Sequence, residues 1–119
     1  MLLSISLFQI SCTKEDDKAV VLPTVSTNSV TNIAPTTVTT GGVISDNVEI
    51  TARGVCYSTS NQNPSLEDDD GFTTDGTGDG SFVSNPSGLL NGTTYYIRAY
   101  ATNTIGTAYG NMVTCKTMQ

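Results

Sequence analysis

Histidine is absent from this 119-residue sequence. With it goes the side chain that most often does general acid or base work near neutral pH, and the commonest zinc ligand. Bases are scarce too: five Lys and Arg stand against eleven Asp and Glu, giving a formal net charge of −6 and a pI of about 4.1. Nucleic-acid binding depends on basic side chains neutralising phosphates, and five scattered ones exclude a nucleic-acid partner. Charged residues make up only 13 % of the chain, about half the usual share. The runs of Ala, Leu, Glu and Lys that build long amphipathic helices are missing. The first eight residues, Met1 to Phe8, are apolar apart from Ser4 and Ser6, too short a run to span a bilayer.

What remains is a strand-and-turn composition. The polar surface is supplied by Thr, Ser, Asn and Gly; Thr favours pleated surfaces, while Gly and Asn favour tight turns. The length suits one domain, which buries roughly 65 % of its unfolded surface and needs no metal or disulfide to complete a core. No cofactor is expected.

The apolar start, bounded by Gln9-Ile10-Ser11-Cys12, suits the hydrophobic core of a signal peptide over residues 1–11. A small residue just before a cysteine resembles the lipobox of bacterial lipoproteins, in which that cysteine becomes the acylated first residue. Gln9 stands where an aliphatic residue is usual, and no Lys or Arg precedes the apolar run. Thr13-Lys14-Glu15-Asp16-Asp17-Lys18 follows directly and resembles the surface-export signal of Bacteroidota-type lipoproteins. These resemblances imply lipidation at Cys12, an acidic tether over residues 12–23, and display on the outer membrane or cell surface. Such an anchor is what would hold the chain at a membrane. The solvated-spacer reading of the charge run stands beside the export signal.

From residue 24 onward, short β-branched segments alternate with turn clusters. The pattern predicts strands over Thr24–Asn32, Thr36–Ile44, Ile50–Thr59, Phe72–Thr74, Ser81–Asn85, Thr93–Asn103 and Thr107–Thr117. Gly41-Gly42, inside the second, suggests a bulge or a close backbone approach. Ser60–Gly71 reads as a long polar loop and Asp75–Gly80 as a Gly-rich turn. Seven such strands point to an all-β sandwich of antiparallel strands in two sheets.

In the longest strand a period of two puts Tyr95, Ile97, Ala99 and Ala101 on a core-like face. Tyr96, Arg98, Tyr100 and Thr102 then share a solvent-tolerant face. The run Leu89-Leu90-Asn91-Gly92-Thr93-Thr94-Tyr95-Tyr96-Ile97-Arg98-Ala99-Tyr100-Ala101-Thr102-Asn103 resembles strand F of fibronectin type III domains. Together with Ala52–Thr59 and Gly106–Asn111 it is similar to the fibronectin type III-like repeats of Bacteroidota surface proteins, over most of Val25 to Thr117. The resemblance implies an immunoglobulin-like sandwich, with Tyr95 as a tyrosine corner whose hydroxyl bonds upstream backbone. Where such domains often carry a Trp, this chain has Tyr57.

Each candidate site has a plainer reading. Cys56 and Cys115 fall on strands separated by the Thr93 strand, nearer ~10 Å apart than the 4.4–6.8 Å a disulfide requires, so two buried free thiols are expected. The acidic stretch Glu67, Asp68, Asp69, Asp70, Asp75 and Asp79 lacks the EF-hand spacing; Asp68, Asp70 and Asp75 are its candidate calcium ligands, against simple solvation. Tyr96, Arg98 and Tyr100 form a candidate protein- or glycan-binding face, against cross-strand stabilisation. Paired carboxylates can run glycoside hydrolysis only across a cleft, which a sandwich this small does not provide. Asn91-Gly92-Thr93 fits a glycosylation sequon, but the turn alone accounts for it. The sequence therefore points to a non-catalytic interaction or spacer module, with a carbohydrate-binding or adhesion module as the alternative.

Overall fold

The computed structural model describes residues 21–45 and 49–119. Cys12 and the acidic run after it lie outside these residues. Among the described residues there is no helix, and therefore none long and apolar enough to cross a membrane. The chain forms β1 (Thr24–Thr27), β2 (Thr40–Ser45), β3 (Ala52–Ser58), β4 (Gly71–Phe72), β5 (Gly80–Ser84), β6 (Thr94–Thr102) and β7 (Thr107–Lys116). All pairings are antiparallel, in a three-stranded sheet β1-β2-β5 and a four-stranded sheet β4-β3-β6-β7.

Residues directly opposite each other in an antiparallel pair share a face, so register fixes what looks inward. Val55 faces Ala99, Tyr57 faces Ile97 and Cys115 faces Tyr95. These side chains meet Val25, Ile44 and Phe82 from the other sheet to form one hydrophobic core with Val38, Ile50 and Leu89. Tyr57 lies edge-on to Tyr95, centroids 5.9 Å apart. The tyrosine corner is built: the Tyr95 hydroxyl accepts from the Leu90 N–H at 2.9 Å.

Of the two readings of Gly41-Gly42, the close backbone approach holds and the bulge does not. Gly41 and Gly42 stay in register with β1 and β5, so no bulge occurs there. Gly42 instead allows the sheets to approach, since a Cβ on it would sit 2.8 Å from the Cβ of Ala99. The bulge lies in the β6–β7 ladder, where Gly110 and Asn111 both oppose Ala99. It frees the Ala99 N–H, which donates across the sandwich to Thr27 Oγ1 at 2.9 Å, while the Thr27 N–H donates to Asn111 Oδ1. Gly110 is what fits there, because a Cβ would lie 2.6 Å from Thr27 Oγ1. The first strand is thereby latched to the last.

β1 is also shorter than expected. Beyond Thr27 the backbone irregularly continues the pairing, with Thr31 and Thr39 forming an isolated bridge. Asn32 takes a left-handed φ of 50°, which ends the run.

Candidate functional site

The outer face of the four-stranded sheet holds the residues that the sequence offers for binding. Register places Cys56 opposite Arg98, Gly54 opposite Tyr100, Ser58 opposite Tyr96, and Tyr100 opposite Tyr109. This face is not open to solvent along its length. The polar segment between β3 and β4 folds back across it, and Pro64 in its middle is fully buried.

Backbone groups of the covering segment hydrogen-bond to side chains of the sheet. The Leu66 N–H donates to the Tyr109 hydroxyl at 2.9 Å. The Pro64 carbonyl accepts from Arg98 Nη1 at 3.4 Å and from the Cys56 thiol at 3.4 Å. Arg98 also donates from Nε to the Gly110 carbonyl and lies 4.6 Å over the Tyr109 ring. Its charge is spent within the fold, on carbonyls and a π face. The segment's own turns are closed by side chains: the Ser58 hydroxyl accepts from the N–H groups of Ser60 and Asn61, and Asp70 Oδ2 accepts from both Thr59 N and Oγ1.

Tyr100 corrects the sequence expectation most plainly. Placed by period on the solvent-tolerant face, it is 1 % exposed. The outer face is the right one, but the chain around β4 closes over it. The Tyr100 hydroxyl donates to the Thr73 carbonyl at 2.7 Å, and Phe72 stands edge-on to its ring at 6.4 Å. Burial raises its pKa above the usual tyrosine value. Its ring cannot serve as a stacking platform for sugar, while Tyr96 is half-buried at the other end of the same face.

Close approach at β4 depends on Gly54. A Cβ there would lie 2.1 Å from the Thr73 carbonyl oxygen. Thr73 turns that carbonyl toward Tyr100, so the Val55 N–H takes Thr73 Oγ1 instead, at 2.9 Å. The same oxygen donates to Asp75 Oδ2 and meets the Ser84 hydroxyl, each at 2.7 Å. One threonine thus joins β3, the chain after β4, and β5 in the opposite sheet.

The acidic residues do not converge. Asp68 Oδ2 accepts from Asn61, Asp70 from Thr59 and Asp75 from Thr73, each serving its own turn. Among the described residues no group of three or more His, Cys, Asp or Glu is placed to hold a metal ion. Asp69 is different: its Oδ2 is closed from water and has no hydrogen-bond partner. Burial raises its pKa, and the neighbouring charges of Asp70, Asp68 and Glu67 raise it further.

Both described cysteines are free and buried. They sit on opposite faces of the four-stranded sheet: Cys56 outward beside Arg98, Cys115 inward beside Tyr95. Burial, followed by the charge of Asp69, pushes the Cys56 thiol up to about 12; burial raises Cys115 as well. Neither is a nucleophile at neutral pH. Arg53, at the β3 end, donates to the carbonyls of Asp75, Gly78 and Asp79 and stacks over Phe82 at 5.2 Å. Pro64, Thr73 and Tyr109 hold the chain that covers this face. The sequence singled out none of the three as a site residue; Tyr109 entered only within the run Gly106–Asn111.

No family model and no curated relative matches the sequence. Solved structures do. A fibronectin type III domain from the human KIAA0970 protein superposes with a TM-score of 0.57 at 12 % identity, covering 82 % of this chain and 75 % of that one. The sensor domain of the anti-sigma factor RsgI4 from Pseudobacteroides cellulosolvens gives 0.57 at 14 % identity, covering 82 % and 76 %. The domain of human fibronectin type III domain containing protein 3 gives 0.54 at 16 % identity, covering 86 % and 92 %. At these identities the likeness shows the fold alone: the chain forms a fibronectin type III-like β-sandwich, with seven antiparallel strands in two sheets among the described residues.

Proposed function

We propose that this chain is a non-catalytic interaction or spacer module, displayed outside the cell from a lipid on Cys12. One observation carries the non-catalytic half: among the described residues, both arginines, both cysteines, Asp70 and Asp75 are committed to holding the fold. Both arginines are tied to carbonyls and rings, Asp70 and Asp75 close local turns, and the thiols are buried with raised pKa values. A site needs a free nucleophile or base beside an orienting partner. The displayed half rests on Ser11-Cys12 followed by Lys14-Glu15-Asp16-Asp17. The likeness to a bacterial anti-sigma factor's sensor domain fits a binding role.

Fractionation of cells expressing the full chain tests the anchor. The wild type should partition into detergent and be removed from intact cells by added protease; Cys12→Ser should appear in the aqueous phase. A Cys12→Ser protein that stays in the detergent phase overturns the lipid anchor, and a wild type that resists protease on intact cells overturns display.

A further inference from the structure

We propose that the edge formed by β4 and its continuation to Asp75 captures an extended, lysine- or arginine-rich segment of a partner protein as an added strand. The proposal rests on the interaction-module reading and names the surface and the chemistry of the partner.

Four strands lie at sheet edges, and they are not equivalent. β1 and β7 close on each other through Thr27 and Asn111, with Gly110 against Thr27. β5 is an edge with one acidic residue, Asp79, at its start. Among the described residues β4 ends its sheet, with no strand beyond it. The N–H groups of Asp70, Thr73 and Asp75 donate to the carbonyls of Tyr57, Val55 and Arg53, so the strand-like path runs well past the two residues of β4 itself. Along such a path hydrogen-bonding direction alternates, and Phe72 and Thr74 turn their backbone N–H and C=O groups away from β3. These are the groups that an added strand pairs with.

The edge also has an apolar anchor and a charge. Phe72 is 53 % exposed, its ring fixed edge-on against Tyr100. Asp68, Asp69 and Asp70 precede it and Asp75 and Asp79 follow, with no Lys or Arg between residues 68 and 79. The one guanidinium nearby, Arg53, is held by three carbonyls. Asp70 and Asp75 each use Oδ2 internally, which orients the carboxylate and leaves Oδ1 to an incoming ammonium or guanidinium. A basic strand is complementary in charge at both ends of the edge, while an acidic one is repelled. Short charged edges also serve to block sheet extension altogether, and that reading makes the opposite prediction for basic strands.

The test is an amide NMR titration of the ¹⁵N-labelled full chain carrying Cys12→Ser. The probes are an eight-residue peptide alternating lysine and valine, its glutamate–valine counterpart, and the lysine peptide N-methylated on every residue, which leaves no N–H on either edge of the strand. The lysine peptide should shift the amides of Phe72 and Thr74. N-methylation should weaken it about ten-fold, the worth of one hydrogen bond, Phe72→Ala and the pair Asp68→Asn with Asp79→Asn should each weaken it several-fold, and the glutamate peptide should not bind. Absence of binding, equal binding of the N-methylated peptide, or shifts scattered away from residues 70–75 overturns the proposal. Each of those results leaves the lipid anchor and display intact, which fractionation tests separately, and leaves the spacer half of the module reading standing.

Discussion

The inner face of the four-stranded sheet and the part of its outer face around Cys56 and Tyr100 are both buried, and by different means. The inner face is closed by a second sheet: Val55, Tyr57, Tyr95, Ile97, Ala99 and Cys115 meet apolar side chains, and contact follows from alternation alone. The outer face is closed by loop backbone. Cys56 and Arg98 meet the Pro64 carbonyl, Tyr109 meets the Leu66 N–H, and Tyr100 meets the Thr73 carbonyl. The inner face is held by area removed from water, the outer by hydrogen bonds to groups that would otherwise be orphaned. A polar segment can therefore bury a sheet face, provided that its carbonyls find donors on it.

This difference is sharpest at Gly54, where outer-face closure depends on backbone reaching backbone. Gly54→Ala puts a methyl group into the Thr73 carbonyl, and backbone cannot swing aside as a flexible side chain can. The expected cost is about 3 kcal/mol or more in urea denaturation, with Tyr100 becoming exposed. If the variant melts like the wild type, the chain around β4 is only loosely laid on the sheet, and the comparison fails.

The inner face has its own polar latch, and removing it gives the next largest effect. Thr27→Val keeps the shape but strands the Ala99 N–H at the bulge inside the sandwich. A buried orphaned donor costs about 2 kcal/mol. Thr27→Ser keeps the hydroxyl and should recover most of that loss. An unchanged Thr27→Val would mean that β1 is not held by the β6–β7 bulge.

Two tyrosine hydroxyls allow the faces to be compared directly. On the corner, Tyr95 accepts from the Leu90 N–H; on the outer face, Tyr100 donates to the Thr73 carbonyl. Tyr95→Phe and Tyr100→Phe should each cost about 1 kcal/mol in thermal or chemical denaturation. They differ in what is left behind. The first leaves a donor without a partner, the second a carbonyl with no hydrogen bond from the ring, and unsatisfied donors are the less tolerated. Tyr95→Phe should therefore be the more harmful of the two.

The same contrast explains what was legible in the sequence. The inward set Tyr95, Ile97, Ala99 and Ala101 follows from period-two patterning, a local property, whereas the order of the strands and the corner tyrosine are what the resemblance to strand F of fibronectin type III domains implies. The separation of Cys56 from Cys115 follows from strand order. Burial of Tyr100 does not, because alternation names the face and says nothing about what covers it. The covering chain is rich in Asn, Ser and Asp, and such composition ordinarily signals solvent. Its hydrogen bonds to Arg98, Cys56 and Tyr109 span 8 to 43 residues in sequence, beyond any local pattern. Likewise a bulge opposite Ala99 is set by Thr27, 72 residues away. The acidic residues were legible as a cluster in sequence, while their dispersal onto separate turns was not.

Asp69 tests the outer face at its weakest point, with the smallest expected effect. Its Oδ2 is shut from water without a partner while Asp68, Asp70 and Glu67 crowd it, so folding raises its pKa. A raised carboxyl pKa means that the folded chain holds the proton more tightly than the unfolded one. The protonated group favours folding fully below the unfolded value near 4, and that advantage is lost as pH rises through the folded value. The wild type should therefore lose stability from this residue between acid and neutral pH. Asp69→Asn, which cannot ionise, should be the more stable protein at pH 7, with the gap closing toward pH 3. The same change removes the charge that, after burial, contributes most to raising the Cys56 thiol, so that thiol should titrate lower in the variant. A stability difference between the two proteins that is constant from pH 3 to 8 would show that the Asp69 carboxylate is solvated, and that the segment over Cys56 stands off from the sheet rather than sealing it.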